Sequence, residues 1–359
     1  MKVIVYAICK NEEQFVDRWM DSMQEADGVV VLDTGSTDST VQKLRSRGAM
    51  VTVEVISPWR FDVARNRSME LIPKDADICV CTDLDEVFQP GWRQLLEKGW
   101  TPGTGQASFR YTWSFNPDGS EGVVFWYEKV HARFGYQWIH PVHEVLAWVG
   151  EGTPGPKCMV EGMQLNHYPD PSKSRSQYLP LLELSVQEDP EDDRNVHYLG
   201  REYMYRGRWE DCITTLRYHL TMPRATWPDE RCASMRYIAR AYLGLGDRET
   251  AQRWYLRAIA EAPHLREPWL DYGQLAYDQQ QWYLLLWLME QVLKIRERPI
   301  TYISEAASWG SYPYELAALA SFYIGKPKEA LEYINAAISL APQDSRLLHN
   351  RQVFLDAVE

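Results

Sequence analysis

The sequence predicts an α/β domain with a mostly parallel sheet at residues 1–171, followed by an all-α array of helical repeats at residues 172–359. Strand-like apolar runs alternate with helical patterns in the first half, which is typical of βαβ units. Pairs of helical patterns closed by Gly and Pro recur in the second half. The chain of 359 residues is also too long for one comfortable hydrophobic core, so two domains are expected.

Composition and charge exclude several classes of protein. The net charge is −12, shared equally between the two halves, and without a basic arm or stripe nucleic-acid binding is disfavoured. No apolar run is long enough to span a bilayer, and the first residues lead directly into a strand pattern. The six cysteines are scattered and predicted to be reduced. We therefore expect a cytoplasmic protein with no signal peptide and no membrane span.

The first half opens with a near-continuous apolar run at residues 2–9, as expected for a strand buried on both faces. Further strands are predicted at Val29–Leu32, Val51–Ile56 and Asp77–Cys81. A helix is predicted over Asp62–Leu71, and helical stripes precede the second and third strands. This alternation predicts a parallel sheet whose ligands bind beyond the carboxyl ends of the strands.

Polar residues follow the first, second and fourth predicted strands. They are Asn11 and Glu13, then Asp33, then Asp83 and Asp85 within Thr82–Glu86. Because these strand ends share one sheet edge, the clusters outline one pocket. Taken singly, Asp33 could be a turn residue or helix cap, and acids at a strand end could belong to a solvated loop. A hard cation, however, requires such oxygen ligands.

Four motifs resemble those of glycosyltransferase family 2, which has the GT-A (Rossmann-like) fold. They are Lys10–Glu13, Asp33–Thr40, Val63–Asn66 and Asp83–Glu86, in the order and spacing of the family. The resemblance covers about residues 1–175. It implies a nucleotide-sugar donor, a UDP-sugar in our interpretation, with Mn²⁺ or Mg²⁺ as cofactor and an inverting reaction.

The resemblance also implies roles for individual residues. Asp33 contacts the nucleobase, Arg65 lies near the nucleotide, and Asn11 and Glu13 belong to the donor site. Asp83 reaches the ribose or the waters of the metal, and Asp85 ligates the metal. For Arg65 the alternative is a surface ion pair. Physically, a divalent ion would neutralise the departing diphosphate.

Aromatic-rich strands are predicted from Gln106 to Val149, with a hairpin turn at Asn116–Gly119. These aromatics could stack on a sugar, although most are expected in the core. Glu144 is the candidate catalytic base, since an inverting transfer needs a group that takes the acceptor's proton. Its alternative is a structural acid paired with His143 or Arg133. A zinc site at His140 and His143 is disfavoured, because no third ligand lies at a suitable spacing.

His167 follows a strand pattern at Met159–Leu165. By resemblance, a late histidine of this fold completes the metal site, and an imidazole suits Mn²⁺ better than Mg²⁺. The alternative is a capping histidine at the domain end.

The second half resembles tetratricopeptide repeats. Three clear units place Gly 16 or 17 residues before Pro, as at Gly207, Gly246 and Gly325, and a degenerate unit lies between the last two. The final helix, Ser345–Val358, would cap this solenoid. The interval Arg298–Pro313 breaks the period and is expected to form a loop or an extra helix.

The predicted activity is therefore a metal-dependent, inverting transfer of a sugar from a nucleotide sugar to a peptide or protein side chain selected by the repeats. Bacterial peptide glycosyltransferases resemble this arrangement. The alternatives are a glycan or lipid-linked acceptor with repeats that form a homodimer, helices that only support the catalytic domain, and a non-catalytic peptide-binding scaffold.

Overall fold

The computed structural model of the protein describes residues 1–171, 173 and 176–358. The chain forms two compact units, Met1–Ser185 and Val186–Glu359. The sequence-based boundary at 171/172 precedes this division, because helix α5 (Tyr178–Glu188) begins in the first unit. Ser172 and Glu359, the ends of the predicted repeat region, lie outside the described residues.

The first unit contains an eight-stranded mixed sheet and a separate two-stranded hairpin. In the large sheet the spatial order is β3-β2-β1-β4-β7-β6-β10-β5, and β8 and β9 form the hairpin. The strands are β1 (Val3–Cys9), β2 (Gly28–Asp33), β3 (Met50–Val53), β4 (Ile78–Cys81), β5 (Glu86–Phe88), β6 (Gln106–Thr112), β7 (Val124–Ala132), β8 (Tyr136–Ile139), β9 (Val145–Trp148) and β10 (Lys157–His167).

Strands β1 to β4 are mutually parallel, as the sequence predicted. Alternate residues of β1 point into two cores: Val5 packs with one set of apolar side chains and Tyr6 with the other. Burial on both faces explains why this strand reads as an unbroken apolar run. The helices of the unit before α5 are α1 (Val16–Ser22), α2 (Thr40–Ser46), α3 (Phe61–Glu70) and α4 (Trp92–Gly99).

An antiparallel extension carries the sheet onward from β4. Strand β7 pairs antiparallel with both β4 and β6, and Asn116–Gly119 forms the predicted turn between β6 and β7. Strand β6 ends at Thr112, so the predicted continuation through Phe115 is reduced to one isolated bridge to Glu121. The third strand likewise ends at Val53 instead of Ile56. All six cysteines are free, and Cys158 is half-buried while the others are buried.

The second unit is all-helical and confirms the predicted solenoid. In the part of this unit that the structure describes, four helix pairs and a final helix follow one another, and a short 3₁₀ helix at Ala306–Ser308 lies in the interval that breaks the repeat period. Among the described residues, no helix has both the length and the apolar character needed to cross a membrane. The helices are α6 (Asp193–Tyr205), α7 (Trp209–His219), α8 (Pro228–Gly244), α9 (Arg248–Glu261), α10 (Glu267–Asp278), α11 (Trp282–Lys294), α12 (Tyr312–Tyr323), α13 (Pro327–Leu340) and α14 (Ser345–Asp356).

Candidate functional site

The loops that follow β1 and β2 are joined by hydrogen bonds. Asn11 Oδ1 accepts from the backbone N–H of Thr37 at 2.7 Å, and the Asn11 N–H donates to Ser36 Oγ at 2.8 Å. Glu13 Oε2 accepts from the N–H of Ser39 at 2.9 Å. Both predicted donor-site residues therefore fix the shape of this sheet edge. Their direct contact with a nucleotide stays a prediction.

Asp33 is fully buried at the end of β2 and organises its own loop. Its Oδ1 accepts from the N–H groups of Gly35 at 3.1 Å and Ser36 at 2.9 Å. Gly35 has a φ of 106°, a left-handed conformation that favours glycine. The Asp33 carboxylate accepts hydrogen bonds within its own loop. Its contact with a nucleobase, which the resemblance implies, stays a prediction.

Asp83, directly after β4, is held by two cations. Arg65 Nη2 donates to its carboxylate oxygens at 3.0 and 3.1 Å, and Lys129 Nζ donates at 2.9 Å. Partial burial of Asp83 favours its neutral form, but the charges of Arg65 and Lys129 outweigh burial and bring its pKa well below the ordinary value. Asp83 is therefore an anion fixed in position by helix α3 and strand β7.

Lys129 is almost completely buried and also binds Glu86, at 2.9 and 3.2 Å. Tyr111 donates its hydroxyl to the same Glu86 carboxylate at 2.8 Å. Glu86 in turn accepts from the backbone N–H of Asp83 at 2.8 Å. Burial raises the pKa of Glu86, despite the opposing charge of Lys129. This network makes Glu86 a support for the Asp83 loop, and Lys129 is a site residue that the sequence analysis missed.

Arg65 also brings Glu144 into the site. Its Nε donates to Glu144 Oε1, its Nη1 lies 3.2 Å from Cys81 Sγ, and its guanidinium carbon lies 5.4 Å from the Trp138 ring centroid. Glu144 immediately precedes β9 in the loop of the β8–β9 hairpin. Arg65 is 4% exposed, so the surface-ion-pair alternative for this residue does not describe the structure.

Asp85 and His167 meet at the ends of neighbouring segments. His167, the last residue of β10, places Nε2 3.4 Å from Asp85 Oδ2, while its Nδ1 lies 2.9 Å from the Trp113 carbonyl oxygen. Partial burial lowers the pKa of His167, but the negative charges of Asp85 and Glu86 outweigh this and raise it. Within the described residues, Asp85 has no salt bridge to a Lys or Arg, unlike Asp83, Glu86 and Glu144. Of the predicted site residues, Asp85 and His167 are thus the pair whose side chains could hold a metal ion.

Glu12 is a second site residue that sequence reasoning missed. Its side chain is 10% exposed, Oε1 contacts Lys173 Nζ, and Oε2 has no hydrogen-bond partner. Burial raises the pKa of Glu12 to about 7, and the nearby charges of Asp85 and Asp83 act in the same direction. The Glu12-Glu13 pair indicates that one acid could be buried beside Asp85 and His167. Nothing in the sequence pattern distinguishes Glu12 from Glu13, however.

The aromatic side chains of the antiparallel strands divide between core and surface. Phe109 and Tyr111 are buried, as expected for most of them. Trp113 is 38% exposed, and its ring centroid lies 6.1 Å from that of His167. Phe115 stacks on Tyr168 at 5.2 Å. Trp113 and the equally exposed Tyr168 are therefore aromatic residues beside Asp85 and His167 that a sugar could contact.

Comparison with known proteins identifies one of the helical repeats. A tetratricopeptide repeat model matches residues 313–344, which contain α12 and α13. Solved structures of similar architecture include a thermophilic TPR protein of Thermus thermophilus, with 18% identity over 50% of this chain and 88% of that chain and a TM-score of 0.35. Another is the C-terminal part of a TPR repeat-containing protein of Cytophaga hutchinsonii, with 12% identity over 51% and 66% and a TM-score of 0.42. No curated protein matches the chain.

Proposed function

We propose that the chain is a metal-dependent, inverting glycosyltransferase of family 2, with a GT-A domain that binds a UDP-sugar. The observation that carries this proposal is the meeting of Asp85 with His167 beside the Asp83–Arg65 ion pair. A carboxylate, an imidazole and a fixed cation at the carboxyl edge of a parallel sheet suit a nucleotide diphosphate and its metal ion. The four sequence motifs supply the family assignment within the proposal.

The side chains present fit a divalent cation. Asp85 offers a hard oxygen ligand and His167 a nitrogen ligand, a donor pair that suits Mn²⁺ better than Mg²⁺. When bound, the ion would supply positive charge to the departing diphosphate. Arg65 is held next to Asp85 and His167 by Asp83 and Glu144, and in the proposed site it fixes the positions of these two carboxylates.

Glu144 is the proposed catalytic base. Arg65 bonds Oε1 and thereby fixes the orientation of the carboxylate. In the proposed reaction the other carboxylate oxygen, Oε2, takes the proton of an acceptor hydroxyl or thiol. The base and the proposed metal ligands then belong to one site, because Asp83 and Asp85 are separated by one residue and Arg65 bridges Asp83 to Glu144.

The helical unit provides the proposed acceptor specificity. Tetratricopeptide repeats generally mediate protein interactions, and the match at residues 313–344 supports a peptide or protein acceptor. The repeats would then select the acceptor side chain. In the scaffold alternative the repeats bind a peptide but no sugar is transferred.

Release of UDP from a panel of UDP-sugars with Mn²⁺ tests the catalytic proposal. We expect metal-dependent hydrolysis by the full chain, and a loss of at least about 100-fold in Asp85→Asn, because the amide is a poorer ligand for a hard cation. Asp75→Asn is the matched control, since Asp75 lies on the surface in an ion pair with Lys2. Wild-type activity in Asp85→Asn would refute the metal assignment, and no turnover of any nucleotide sugar would favour the scaffold.

A further inference from the structure

Three side chains of the helical unit converge far along the chain from the proposed transferase site. His197 lies on α6, His219 on α7 and Glu230 on α8. One potential ligand atom from each lies within 4.8 Å of the others. Both histidines are fully buried and Glu230 is 5% exposed. The first helices of the solenoid therefore enclose two imidazoles and a carboxylate.

The two imidazoles present unpartnered nitrogen atoms to this space. Nε2 of His197 and Nε2 of His219 are buried and have no hydrogen-bond partner. Nε2 of His219 lies 3.4 Å from Glu230 Oε1, an ion-pair distance without hydrogen-bond geometry. A buried polar atom without a partner costs about 1–3 kcal/mol. Two unpartnered imidazole nitrogens in one cluster with a carboxylate indicate a binding site for a ligand that all three groups can contact.

Ser234 orients both rings. Its Oγ lies 2.8 Å from Nδ1 of His197 and 3.0 Å from Nδ1 of His219. A hydroxyl oxygen has two lone pairs and can accept both Nδ1–H bonds. Each Nε2 atom then carries a lone pair that is available to a ligand. Metal-binding histidines are commonly held in this way by a second hydrogen bond.

We propose that His197, His219 and Glu230 form a structural zinc site. Two imidazole nitrogens and a carboxylate oxygen are typical zinc ligands, and the 3.4 Å between His219 Nε2 and Glu230 Oε1 is close to the edge of a tetrahedron with bonds of about 2.0–2.1 Å. A water molecule completes the four-coordinate set. Because the three ligands lie on consecutive helices, the ion would tie these helices together.

Tyr302, in the irregular interval between α11 and α12, contacts the cluster. Its hydroxyl donates to Glu230 Oε2, which leaves Oε1 for the metal. Its ring packs at 5.9 Å from Tyr198 and 5.6 Å from Trp227, measured between centroids. The segment that breaks the repeat period thus covers the site and fixes its carboxylate.

Metal analysis of the full chain tests the proposal. We expect one Zn²⁺ per chain after purification or refolding with zinc, retained in the presence of a weak chelator, and near-complete loss of that zinc in His197→Gln and in His219→Gln. His349→Gln is the control, because His349 is exposed on α14. His167→Gln changes the proposed transferase site and not the helical cluster. We therefore expect this variant to keep the zinc content of the wild-type chain. Zinc lost only in His167→Gln would overturn the proposal.

A second measurement does not depend on the folding of ligand variants. Ser234→Ala removes the hydroxyl that orients both rings, and we expect zinc affinity to fall about 10- to 100-fold. Cobalt titration of the wild-type chain should give the strong visible absorption of a four-coordinate site. If the wild-type chain binds neither Zn²⁺ nor Co²⁺, the cluster is a metal-free polar network and the proposal is wrong.

Discussion

Arg65 and Glu144 form a buried ion pair that joins helix α3 to the loop before β9. The two residues are 79 positions apart in the sequence, and their side chains are 5% and 10% exposed. The same guanidinium binds Asp83 at 3.0 Å. One cation therefore compensates two carboxylates that come from different parts of the first unit.

Because Arg65 binds both carboxylates, removing Arg65 and removing Glu144 should lower the free energy of unfolding by different amounts. Arg65→Gln leaves two carboxylates without their common cation, and we expect the free energy of unfolding to fall by about 3–5 kcal/mol. Glu144→Gln leaves Arg65 paired with Asp83 and preserves an oxygen acceptor, so the expected loss is about 1 kcal/mol. Urea unfolding of the two variants measures the difference.

An exposed ion pair serves as the comparison. Lys2 contacts Asp75 at 2.7 Å, and the two side chains are 37% and 72% exposed, so Lys2→Gln should cost less than about 1 kcal/mol. Equal destabilisation by Arg65→Gln and Glu144→Gln would show that Asp83 does not depend on Arg65, contrary to the geometry.

Glu144→Gln also tests the proposed base. Glutamine keeps the shape of the side chain but cannot accept a proton, so turnover of the transfer reaction should fall by about 10²–10⁴-fold. UDP affinity should remain near the wild-type value, because Asp85 and His167 are intact. Isothermal titration with UDP and Mn²⁺ alongside initial rates separates the two effects. An equal fall in affinity, with turnover preserved, would assign Glu144 a structural role.

Local sequence patterns predicted the parallel strands β1 to β4 and the helix pairs, but not strand β5 (Glu86–Phe88) or helix α4 (Trp92–Gly99). The β1 run is apolar on every residue because both faces are covered, and the Gly-to-Pro spacing follows from helices that pack in pairs. Strand ends were less predictable. Residues beyond Thr112 continue an alternating pattern, but the backbone leaves the ladder at that point.

The partners of the charged residues were not predictable in the same way. A lysine within a strand such as β7 hints at a buried role, yet its partner Glu86 lies 43 residues away. The ligands of the proposed zinc site likewise come from three helices at spacings that match no short zinc motif. Such contacts depend on tertiary packing, which a periodic pattern does not encode.

Glu12 predicts a pH dependence of stability. Its pKa is raised from 4.5 to about 7 by burial and by Asp85 and Asp83, against the opposing charge of Lys173. Between these values the folded state holds a proton that the unfolded state has lost, so stability falls as pH rises from about 4.5 to about 7. Glu12→Gln should abolish this loss and stabilise the protein at pH 8 by up to about 3 kcal/mol, with little effect at pH 4.

Urea unfolding of metal-free protein at several pH values measures this effect of Glu12. Glu151→Gln, at an exposed position, controls for the removal of one negative charge. Parallel pH profiles for Glu12→Gln and the wild-type chain would contradict the proposed burial of a titrating carboxyl.

Two glycines in the repeats predict opposite responses to alanine. A Cβ on Gly200 of α6 would overlap Leu216 Cδ2 and Cγ, which belong to a branched, fully buried side chain. A Cβ on Gly273 of α10 would meet the terminal Cε of Met289, which can move.

Gly200→Ala should therefore destabilise the helical unit by about 1–3 kcal/mol through overpacking. Gly273→Ala should be neutral or stabilising by up to about 1 kcal/mol, because the gain in helix propensity is not cancelled by a rigid clash. Thermal unfolding followed by the helical circular dichroism signal compares the two. A larger loss at position 273 than at position 200 would mean that the flexibility of the facing side chain does not control the tolerance of these positions.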